Sequence, residues 1–262
     1  MKKFKRAWDL NSKSWFIDND PSGQRYNEHI LGKTPDALNM TMFLLTLTNM
    51  CDDEQAKKWL PMVRNFRWMG CYAQTELGHG SDVSGLETTA TFDKATDEFV
   101  IHTPSITAAK WWPGDMGHNS SHAVVFAKCI IDGQKYGVLP FLVQIRERET
   151  WMPCKGCEMG DMGPKFGYNS KNNGWCTFNK VRIPRGQMLM KYTKVDKEGN
   201  FRVEGDIRAL YSVMMDIRMQ LIAHSANTIL KGLLITLRYS VNRKQFKNYE
   251  DQPKLETKIL DY

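Results

Sequence analysis

The run from Gly78 to Val83, GHGSDV, begins like the fingerprint that binds the phosphates of dinucleotides. In that fingerprint the sixth position is a glycine or alanine and a helix follows, whereas here the sixth residue is Val83 and no helical periodicity follows it. The pattern therefore argues against a Rossmann fold. Two interpretations stay open: a turn whose glycines adopt positive φ, and a loop whose backbone N–H groups approach a ligand closely.

Cys154 and Cys157 have the Cys-x-x-Cys spacing of zinc knuckles and of redox-active dithiols. A structural zinc ion needs four ligands, and no second pair follows at the distance typical of a zinc ribbon. Cys176 is an isolated third cysteine. We therefore expect no metal site at these positions.

His118 and His122 are four residues apart, which is the spacing of two zinc-binding histidines on one face of a helix. Gly114 and Gly117 precede them and disfavour a helix, so we predict two loop histidines. The sequence also contains no GxSxG, Walker A or EF-hand motif. Motifs of these kinds therefore assign neither a catalytic residue nor a metal ligand.

The chain of 262 residues is long enough for one large domain or two ordinary domains. Its apolar fraction of 42% and charged fraction of 25% are typical of folded globular proteins and exclude collagen-like and disordered chains. The net charge of +7 comes from 36 basic and 29 acidic residues spread along the chain. Because the basic residues form no stripe and no zinc-finger or RRM signature occurs, nucleic acid is not the expected partner.

Neither a membrane span nor secretion is expected from the sequence. The longest uncharged stretch, Ala37 to Cys51, contains several Asn and Thr residues and is shorter than the about 20 apolar residues that a spanning helix needs. Residues Met1 to Ile17 lack the uninterrupted apolar core of a secretory signal. We therefore expect an intracellular protein whose six cysteines are reduced.

Residues 1–66 are predicted to be a helical domain. Apolar residues between Thr34 and Phe66 recur at helical spacing, with Thr34 as the cap and Pro35 at the first helical position. A second helix is predicted to start at Asp52 or Asp53. Its apolar stripe consists of Ala56, Trp59, Leu60 and Val63.

Residues 67–192 consist of short runs of β-branched and aromatic residues separated by Gly, Asp, Asn and Pro. Short strands at this spacing favour an antiparallel barrel or sandwich over alternating βαβ units. The predicted strands are Met69–Thr75, Leu86–Asp93, Glu98–Thr103, His122–Ile131, Gly137–Arg146 and Gly174–Ile183.

From Asp206 to Phe246 the apolar residues step by three and four, which predicts one helix of about 40 residues and about 60 Å. We assign this helix to a C-terminal helical domain over residues 205–262. Its apolar stripe is longer than the neighbouring chain can cover. We therefore expect a partner subunit, a further helical domain or both to pack on it.

Longer motifs make the chain resemble the acyl-CoA oxidases, the FAD-dependent enzymes of peroxisomal β-oxidation within the acyl-CoA dehydrogenase superfamily. The resemblance extends from about Thr34 to Tyr262. The motifs are YAQTELGHGS from Tyr72, GLETTATF from Gly85, KWWPG from Lys110, DMGPKFGY from Asp161, NG from Asn173, RIPR from Arg182, MLMKY from Met188, RYS from Arg238 and RKQF from Arg243.

The resemblance implies an α+β, acyl-CoA dehydrogenase-like fold with a partial N-terminal helical domain, a central antiparallel β-barrel domain and the start of a C-terminal helical bundle. It also implies FAD as the cofactor, contacted by Thr75 through its hydroxyl and by Gly114 through its backbone. By similarity Arg243 reaches the FAD pyrophosphate of the other subunit in a homodimer. A plain Pro-Gly turn at Gly114 and a helix-dipole role for Arg243 remain alternatives. Of Trp111 and Trp112, one is expected to fill the core.

The reaction that the resemblance implies is oxidation of a fatty acyl-CoA to the trans-2-enoyl-CoA, with transfer of the electrons to O₂ and release of H₂O₂. In this family the glutamate that removes the α-proton lies in the C-terminal bundle, beyond the position that aligns with Ile259–Tyr262. We therefore expect the chain to be shortened in both its first helical domain and its C-terminal half, and to be inactive by itself. No catalytic residue is assigned, and this includes Glu76.

Two other interpretations stay open for the function. One is a non-catalytic flavin-binding or acyl-CoA-binding module that pairs with a full-length family member, and the other is a dehydrogenase that passes electrons to a carrier. A peroxisomal location is implied by the family alone, because Ile259–Tyr262 does not have the form of a Ser-Lys-Leu signal.

Overall fold

A computed structural model describes residues 38–169, 171–206, 208–209, 212–248 and 252–262 of the chain. The predicted helix start at Thr34 and Pro35 lies outside the described residues. The chain divides into two compact units, residues 1–210 and 211–262. The first unit joins the helices before residue 66 to the strands that follow, and the predicted division into three domains stays a prediction.

Two helices open the described part of the first unit. A π-helical turn, Asn39–Phe43, leads into α1 (Leu44–Met50), and α2 (Asp53–Arg64) follows after a two-residue break. The predicted start of the second helix is confirmed: the Asp52 carboxylate accepts a hydrogen bond from Gln55 N at 2.9 Å, and Gln55 Oε1 accepts one from Asp52 N at 3.2 Å. The Gln55 amide also donates to Met188 O at 2.6 Å, which ties α2 to the β region.

Eleven strands follow in the described part of the first unit. They are β1 (Gly70–Ala73), β2 (Thr89–Asp93), β3 (Glu98–His102), β4 (Lys110–Trp111), β5 (His122–Ile131), β6 (Gln134–Gln144), β7 (Cys157–Asp161), β8 (Gly174–Phe178), β9 (Val181–Pro184), β10 (Thr193–Val195) and β11 (Phe201–Val203).

The central strand β5 organises the largest sheet. One edge of β5 pairs with β1 in its first half and with β2 in its second half, and its other edge pairs with β6. The sheet continues from β2 through β3 to β9. A second sheet has the order β4-β8-β7, and β10 with β11 forms a hairpin. The α+β class is confirmed, but the pairings β1–β5 and β2–β5 are parallel, so the large sheet is mixed instead of wholly antiparallel as the resemblance implied.

Sequence patterns located the long strands better than the short ones. The predicted strand His122–Ile131 has the observed bounds of β5. The predicted strand Gly174–Ile183 is instead two strands, because a turn at Asn179 and Lys180, the latter with φ of 51°, separates β8 from β9 and sends them into different sheets. The short strands β4 and β7 were not predicted.

The second unit begins with the long helix α3 (Ser212–Asn242), 31 residues long, and continues with a hairpin of β12 (Lys244–Asn248) and β13 (Gln252–Lys258). The prediction that the helix continues to Phe246 is therefore wrong. Arg243 O accepts a hydrogen bond from Ile259 N at 2.9 Å, which holds the chain in the hairpin just where the helix ends.

Several large apolar side chains of α3 are exposed, and they include Met219, Ile222, Ile229, Leu233 and Leu237. Surface of this kind is typical of a contact with another element or chain. Among the described residues, no helix has both the length and the apolar character needed to cross a bilayer.

His122, the first residue of β5, is buried instead of lying in a loop as predicted. Its ring stacks on Trp68 with centroids 4.2 Å apart, and its Nδ1 lies 2.9 Å from Ser121 Oγ. Burial, with a smaller effect of the Arg148 charge, lowers the pKa of His122 to about 3. His118 lies in the preceding loop, with its side chain 66% exposed.

Replacing His122 with glutamine is expected to reduce the acid sensitivity of the fold. An unfolded histidine binds a proton below its ordinary pKa of 6.5, but folded His122 does not until about pH 3, so stability falls as pH falls through this range. The slope is at most about 1.4 kcal/mol per pH unit. Urea unfolding at pH 7 and pH 5 measures the loss, with His118→Gln as the exposed control. If the wild type and His122→Gln lost the same free energy of unfolding between pH 7 and pH 5, His122 would not be the cause of the acid sensitivity.

Candidate functional site

Thr75 and the Trp111–Gly114 turn lie together in the first unit. Thr75 lies two residues after the end of β1, and its carbonyl accepts a hydrogen bond from Trp111 N at 3.0 Å. Trp111 ends β4, and Gly114 follows three residues later. Tertiary pairing therefore brings two of the three predicted cofactor-binding residues to neighbouring segments, although 39 positions separate them in the sequence.

Residues 173 and 174 hold the Trp111–Gly114 turn through hydrogen bonds. Trp112 N donates to Gly174 O at 3.0 Å, Gly174 N donates to Pro113 O at 3.0 Å, and the Asn173 amide donates to Trp112 O at 2.7 Å. Trp112 has a φ of 82°, and the residue is 51% exposed. Trp111 is half-buried. The expectation that one of the two tryptophans fills the core is therefore wrong, since neither is fully buried.

Gly114 has no positive φ, so the turn does not need a glycine for its backbone conformation. A Cβ at this position would overlap Leu38 Cδ1. Close packing of Leu38 therefore gives one physical reason for the absence of a side chain. Its predicted backbone contact with a cofactor stays a prediction.

A buried ion pair lies directly beside Thr75 and was not predicted. Lys110 Nζ is 2.9 Å from Glu76 Oε1, and both side chains are 0% exposed. The ammonium group also donates to Gln74 O at 3.1 Å and to Phe126 O at 2.7 Å. Burial lowers the pKa of Lys110 to about 8, against the opposing effect of the Glu76 carboxylate. Glu76 is therefore held in a structural network, which is consistent with assigning it no catalytic role.

The loop after Glu76 does not have the positive φ angles that its glycines led us to consider. Neither Gly78 nor Gly80 has a positive φ, so the interpretation as a turn that requires positive φ is wrong. Gly78 N donates to Thr107 O at 2.8 Å, and a Cβ on Gly78 would lie 2.9 Å from Thr107 Cβ. The amide of Gly78 is thus used within the protein, and close packing accounts for the glycine.

Glu87 stabilises the same loop from its other end. Its carboxylate accepts hydrogen bonds from Thr107 Oγ1 at 2.6 Å and from Ser105 Oγ at 2.7 Å, and it lies 3.3 Å from His79 Nε2. These contacts, of which the Thr107 hydrogen bond is the largest, lower the pKa of Glu87 to about 2.

Arg146 supports the loop that follows Gly114. Its guanidinium is buried and donates to three carbonyls: Ser120 O at 2.7 Å, Met116 O at 2.8 Å and Gly117 O at 2.7 Å.

The predicted cysteine pair, Cys154 and Cys157, lies in a tight turn in which Cys157 N donates to Cys154 O at 2.9 Å. Cys157 and Cys176 are both buried free thiols on adjacent strands.

Arg243, the third predicted cofactor-binding residue, lies in the second unit. It is the first residue after α3, its N–H donates to Tyr239 O at 2.8 Å, and its side chain is exposed. This position agrees with both interpretations of the residue, a phosphate contact and a cation at a helix C-terminus.

The residues around Thr75 suit a flat aromatic ligand with a polar edge. The Thr75 side chain is half-buried, and within the described part of the chain no partner takes its hydroxyl. The exposed Trp112 ring offers apolar surface on the neighbouring segment. A hydroxyl that both donates and accepts, on a segment bonded to the one that carries an exposed indole, fits the chemistry of an isoalloxazine.

Comparison with known proteins identifies the family. The chain matches three family models: acyl-coenzyme A oxidase N-terminal over residues 1–69, acyl-CoA dehydrogenase middle domain over 71–181, and acyl-CoA oxidase C-alpha1 domain over 211–262. It is 46% identical over 230 residues to peroxisomal acyl-coenzyme A oxidase 1 of Arabidopsis thaliana, covering 86% of this chain and 34% of that protein. To the Rattus norvegicus enzyme of the same name it is 41% identical over 228 residues, covering 87% of this chain and 34% of that protein.

Solved structures agree with these relatives. The structure of Arabidopsis thaliana acyl-CoA oxidase 1 superposes with a TM-score of 0.89 at 40% identity, covering 100% of this chain and 40% of that one. Acyl-CoA oxidase-2 of Caenorhabditis elegans, solved bound with FAD, ascaroside-CoA and ATP, gives a TM-score of 0.89 at 38% identity, covering 98% of this chain and 39% of that one. This chain spans about a third of the length of the curated relatives it matches. It belongs to the acyl-CoA oxidase family.

Proposed function

We propose that this chain forms the flavin-binding β domain and adjoining helices of an FAD-dependent acyl-CoA oxidase. The whole protein oxidises a fatty acyl-CoA to the trans-2-enoyl-CoA and transfers the electrons to O₂, giving H₂O₂, as a step of fatty acid β-oxidation. The observation that carries the proposal is the hydrogen bond from Trp111 N to Thr75 O, which joins Thr75 to the segment that contains Gly114. The Caenorhabditis elegans oxidase that was solved with FAD and ascaroside-CoA supports this cofactor and this substrate class.

Three residues of this chain are proposed to hold FAD. The Thr75 hydroxyl bonds to the polar edge of the isoalloxazine, and the backbone at Gly114 contacts the same ring system. Arg243 pairs with the pyrophosphate of the FAD that the other subunit of a homodimer holds, and the fork of a guanidinium is well suited to that contact. When bound, FAD supplies the acceptor for the β-hydride and returns the electrons to O₂.

The α-proton of the substrate must be taken by a base, and none is proposed among the described residues. A catalytic carboxylate needs access to the substrate, whereas the Glu76 carboxylate is 0% exposed and paired with Lys110. Within this chain, the proposed contribution to the reaction is therefore to bind and orient the flavin. Proton abstraction stays with a carboxylate that the family places in its C-terminal bundle.

Titration of FAD with the 262-residue chain tests the proposal. Bound FAD is expected to change its fluorescence, and Thr75→Val is expected to weaken the affinity by about 1 kcal/mol, or about fivefold, because one hydrogen bond is lost while the shape is kept. Thr91→Val is the matched control, since Thr91 is an exposed residue of β2. Equal affinities of the two variants would contradict the role of Thr75, and no binding by the wild type would contradict the proposed function.

A second candidate function is a non-catalytic module that pairs with a longer member of the family. The exposed apolar side chains of α3, such as Ile229 and Leu233, favour it because they form surface suited to another chain. The homodimer proposed for the oxidase uses the same kind of contact. Sedimentation of the purified chain separates the cases: a stable monomer counts against both, and a dimer that takes up FAD favours the oxidase.

The proposed location is the peroxisome, which is named for both the Arabidopsis thaliana and the Rattus norvegicus relatives. A dehydrogenase that passes electrons to a carrier protein remains the alternative chemistry. Peroxide release by the whole enzyme with a fatty acyl-CoA, measured with O₂ as the sole acceptor, distinguishes the oxidase from that alternative.

A further inference from the structure

The Lys110–Glu76 ion pair holds the backbone on both sides of Thr75. The Lys110 ammonium donates to the carbonyl of Gln74, the residue before Thr75, at 3.1 Å, and to the carboxylate of Glu76, the residue after it, at 2.9 Å. The carbonyl of Thr75 itself accepts from Trp111 N, the next residue after Lys110, at 3.0 Å. Three consecutive residues are therefore fixed by two consecutive residues of another segment.

Every polar atom of the pair is satisfied. The three N–H bonds of the ammonium are matched by three acceptors, the third being Phe126 O of β5 at 2.7 Å. The Glu76 carboxylate accepts from Glu87 N at 2.6 Å on one oxygen, and from Thr88 N at 3.0 Å and Thr88 Oγ1 at 2.5 Å on the other, in addition to Lys110. A buried network that is fully satisfied holds one geometry, because any displacement leaves an unpaired polar group.

The two sides of the proposed flavin site meet at this network. Glu76 fixes the segment of Thr75, whose hydroxyl has no partner within the described chain. Lys110 fixes β4, from which the Trp111–Gly114 turn continues. The network thus controls the spacing between the Thr75 hydroxyl and that turn.

We propose that Lys110 and Glu76 are positioning residues for the flavin: they do not touch it, and they set the distance between the two segments that do. This inference rests on the proposed function. A positioning role differs from a purely stabilising role of the ion pair. If the pair positions the two segments, flavin affinity depends on the pair even in a variant that keeps the fold.

Two variants separate the two roles. Lys110→Met leaves the Glu76 carboxylate buried without its cation, and the loss of one partner of a buried pair is strongly destabilising. The double variant Lys110→Met with Glu76→Gln contains no buried charge at this place, so its urea midpoint is expected to lie closer to that of the wild type. A glutamine presents an NH₂ group to a donor such as Glu87 N, so the geometry of the network is not restored.

FAD affinity of the full 262-residue chain, measured by fluorescence quenching, is expected to fall at least about tenfold in both variants, as is common when a supporting partner of a ligand-binding residue is removed. Arg185→Met is the matched control. Its ion pair with Asp97, 2.6 Å long, lies at the end of β9, away from Thr75 in the strand order. This control is expected to lower the urea midpoint and to leave FAD affinity unchanged.

Amide hydrogen exchange of the chain without FAD provides a second measurement. Trp111 N is expected to exchange faster in the double variant, because its acceptor on Thr75 is no longer held, and to be unchanged in Arg185→Met. A double variant that binds FAD like the wild type, or a control that loses as much affinity as the double variant, overturns the positioning role alone. A wild-type chain that binds no FAD overturns the proposed function, and the positioning role with it.

Discussion

Replacing Arg146 with methionine is expected to lower the free energy of unfolding of the first unit by about 3 to 5 kcal/mol. The substitution keeps much of the aliphatic volume but removes the donors of three buried hydrogen bonds, to Met116 O, Gly117 O and Ser120 O. An unpaired carbonyl in the interior costs about 1 to 3 kcal/mol. The effect is therefore among the largest that one substitution can produce here.

The hydrogen-bond donors of arginine explain why this residue type binds the three carbonyls. Burial lowers the pKa of its guanidinium, but from an ordinary value so high that the group stays charged at neutral pH. A planar group with five donors can hold several carbonyls at once, whereas a lysine offers three donors from one point. Arg146→Lys is accordingly expected to recover only part of the lost stability.

Arg148→Met is the control for Arg146→Met. Arg148 lies two residues further along the chain and is exposed, so its replacement is expected to change the free energy of unfolding by no more than about 0.5 kcal/mol. Urea unfolding monitored by tryptophan fluorescence compares the variants. A loss below about 1 kcal/mol in Arg146→Met would show that the three carbonyls find other partners.

The second large effect is expected for Gly174→Ala, at about 3 kcal/mol or more. A Cβ at this position would lie 2.5 Å from Gly117 N and 2.9 Å from both Gly117 Cα and Gly160 O. All three are main-chain atoms, which cannot turn aside as a flexible side chain does. Relief requires β7 or the loop at Gly117 to move away from β8.

That movement also reaches the proposed flavin site. Gly174 exchanges two backbone hydrogen bonds with the turn, from Trp112 N and to Pro113 O, both at 3.0 Å. Displacing Gly174 therefore displaces the segment that carries Gly114, and FAD affinity is expected to fall together with stability. Unfolding and FAD titration of the same preparation measure both effects.

Gly167→Ala is the matched control for Gly174→Ala. No atom lies within 4 Å of a Cβ built on Gly167, and its φ is not positive, so the added methyl group meets open space. Its stability is expected to stay within about 0.5 kcal/mol of the wild type. A similar loss in both variants would contradict the packing argument for Gly174.

The sequence alone predicted those helices and strands whose formation depends on interactions between residues close together in the chain. The capping box of Asp52 and Gln55 operates over four consecutive residues, so the start of α2 could be read from the sequence. Strand β5 could be located because it is long and rich in β-branched residues. The resemblance in motif placed the chain in its family and selected Thr75, Gly114 and Arg243 as candidates, although it did not supply their geometry.

The structure alone decided which distant residues meet. Lys110 and Glu76 are 34 positions apart, and a single lysine or glutamate in a sequence is normally expected at the surface, because burying an unpaired charge is costly. Only when β4 is placed beside the segment after β1 does each charge acquire its partner. The same holds for Arg146 and its three carbonyls, and for the parallel pairing of β1 with β5: these contacts depend on the arrangement of the whole first unit, and local sequence carries no signal for them.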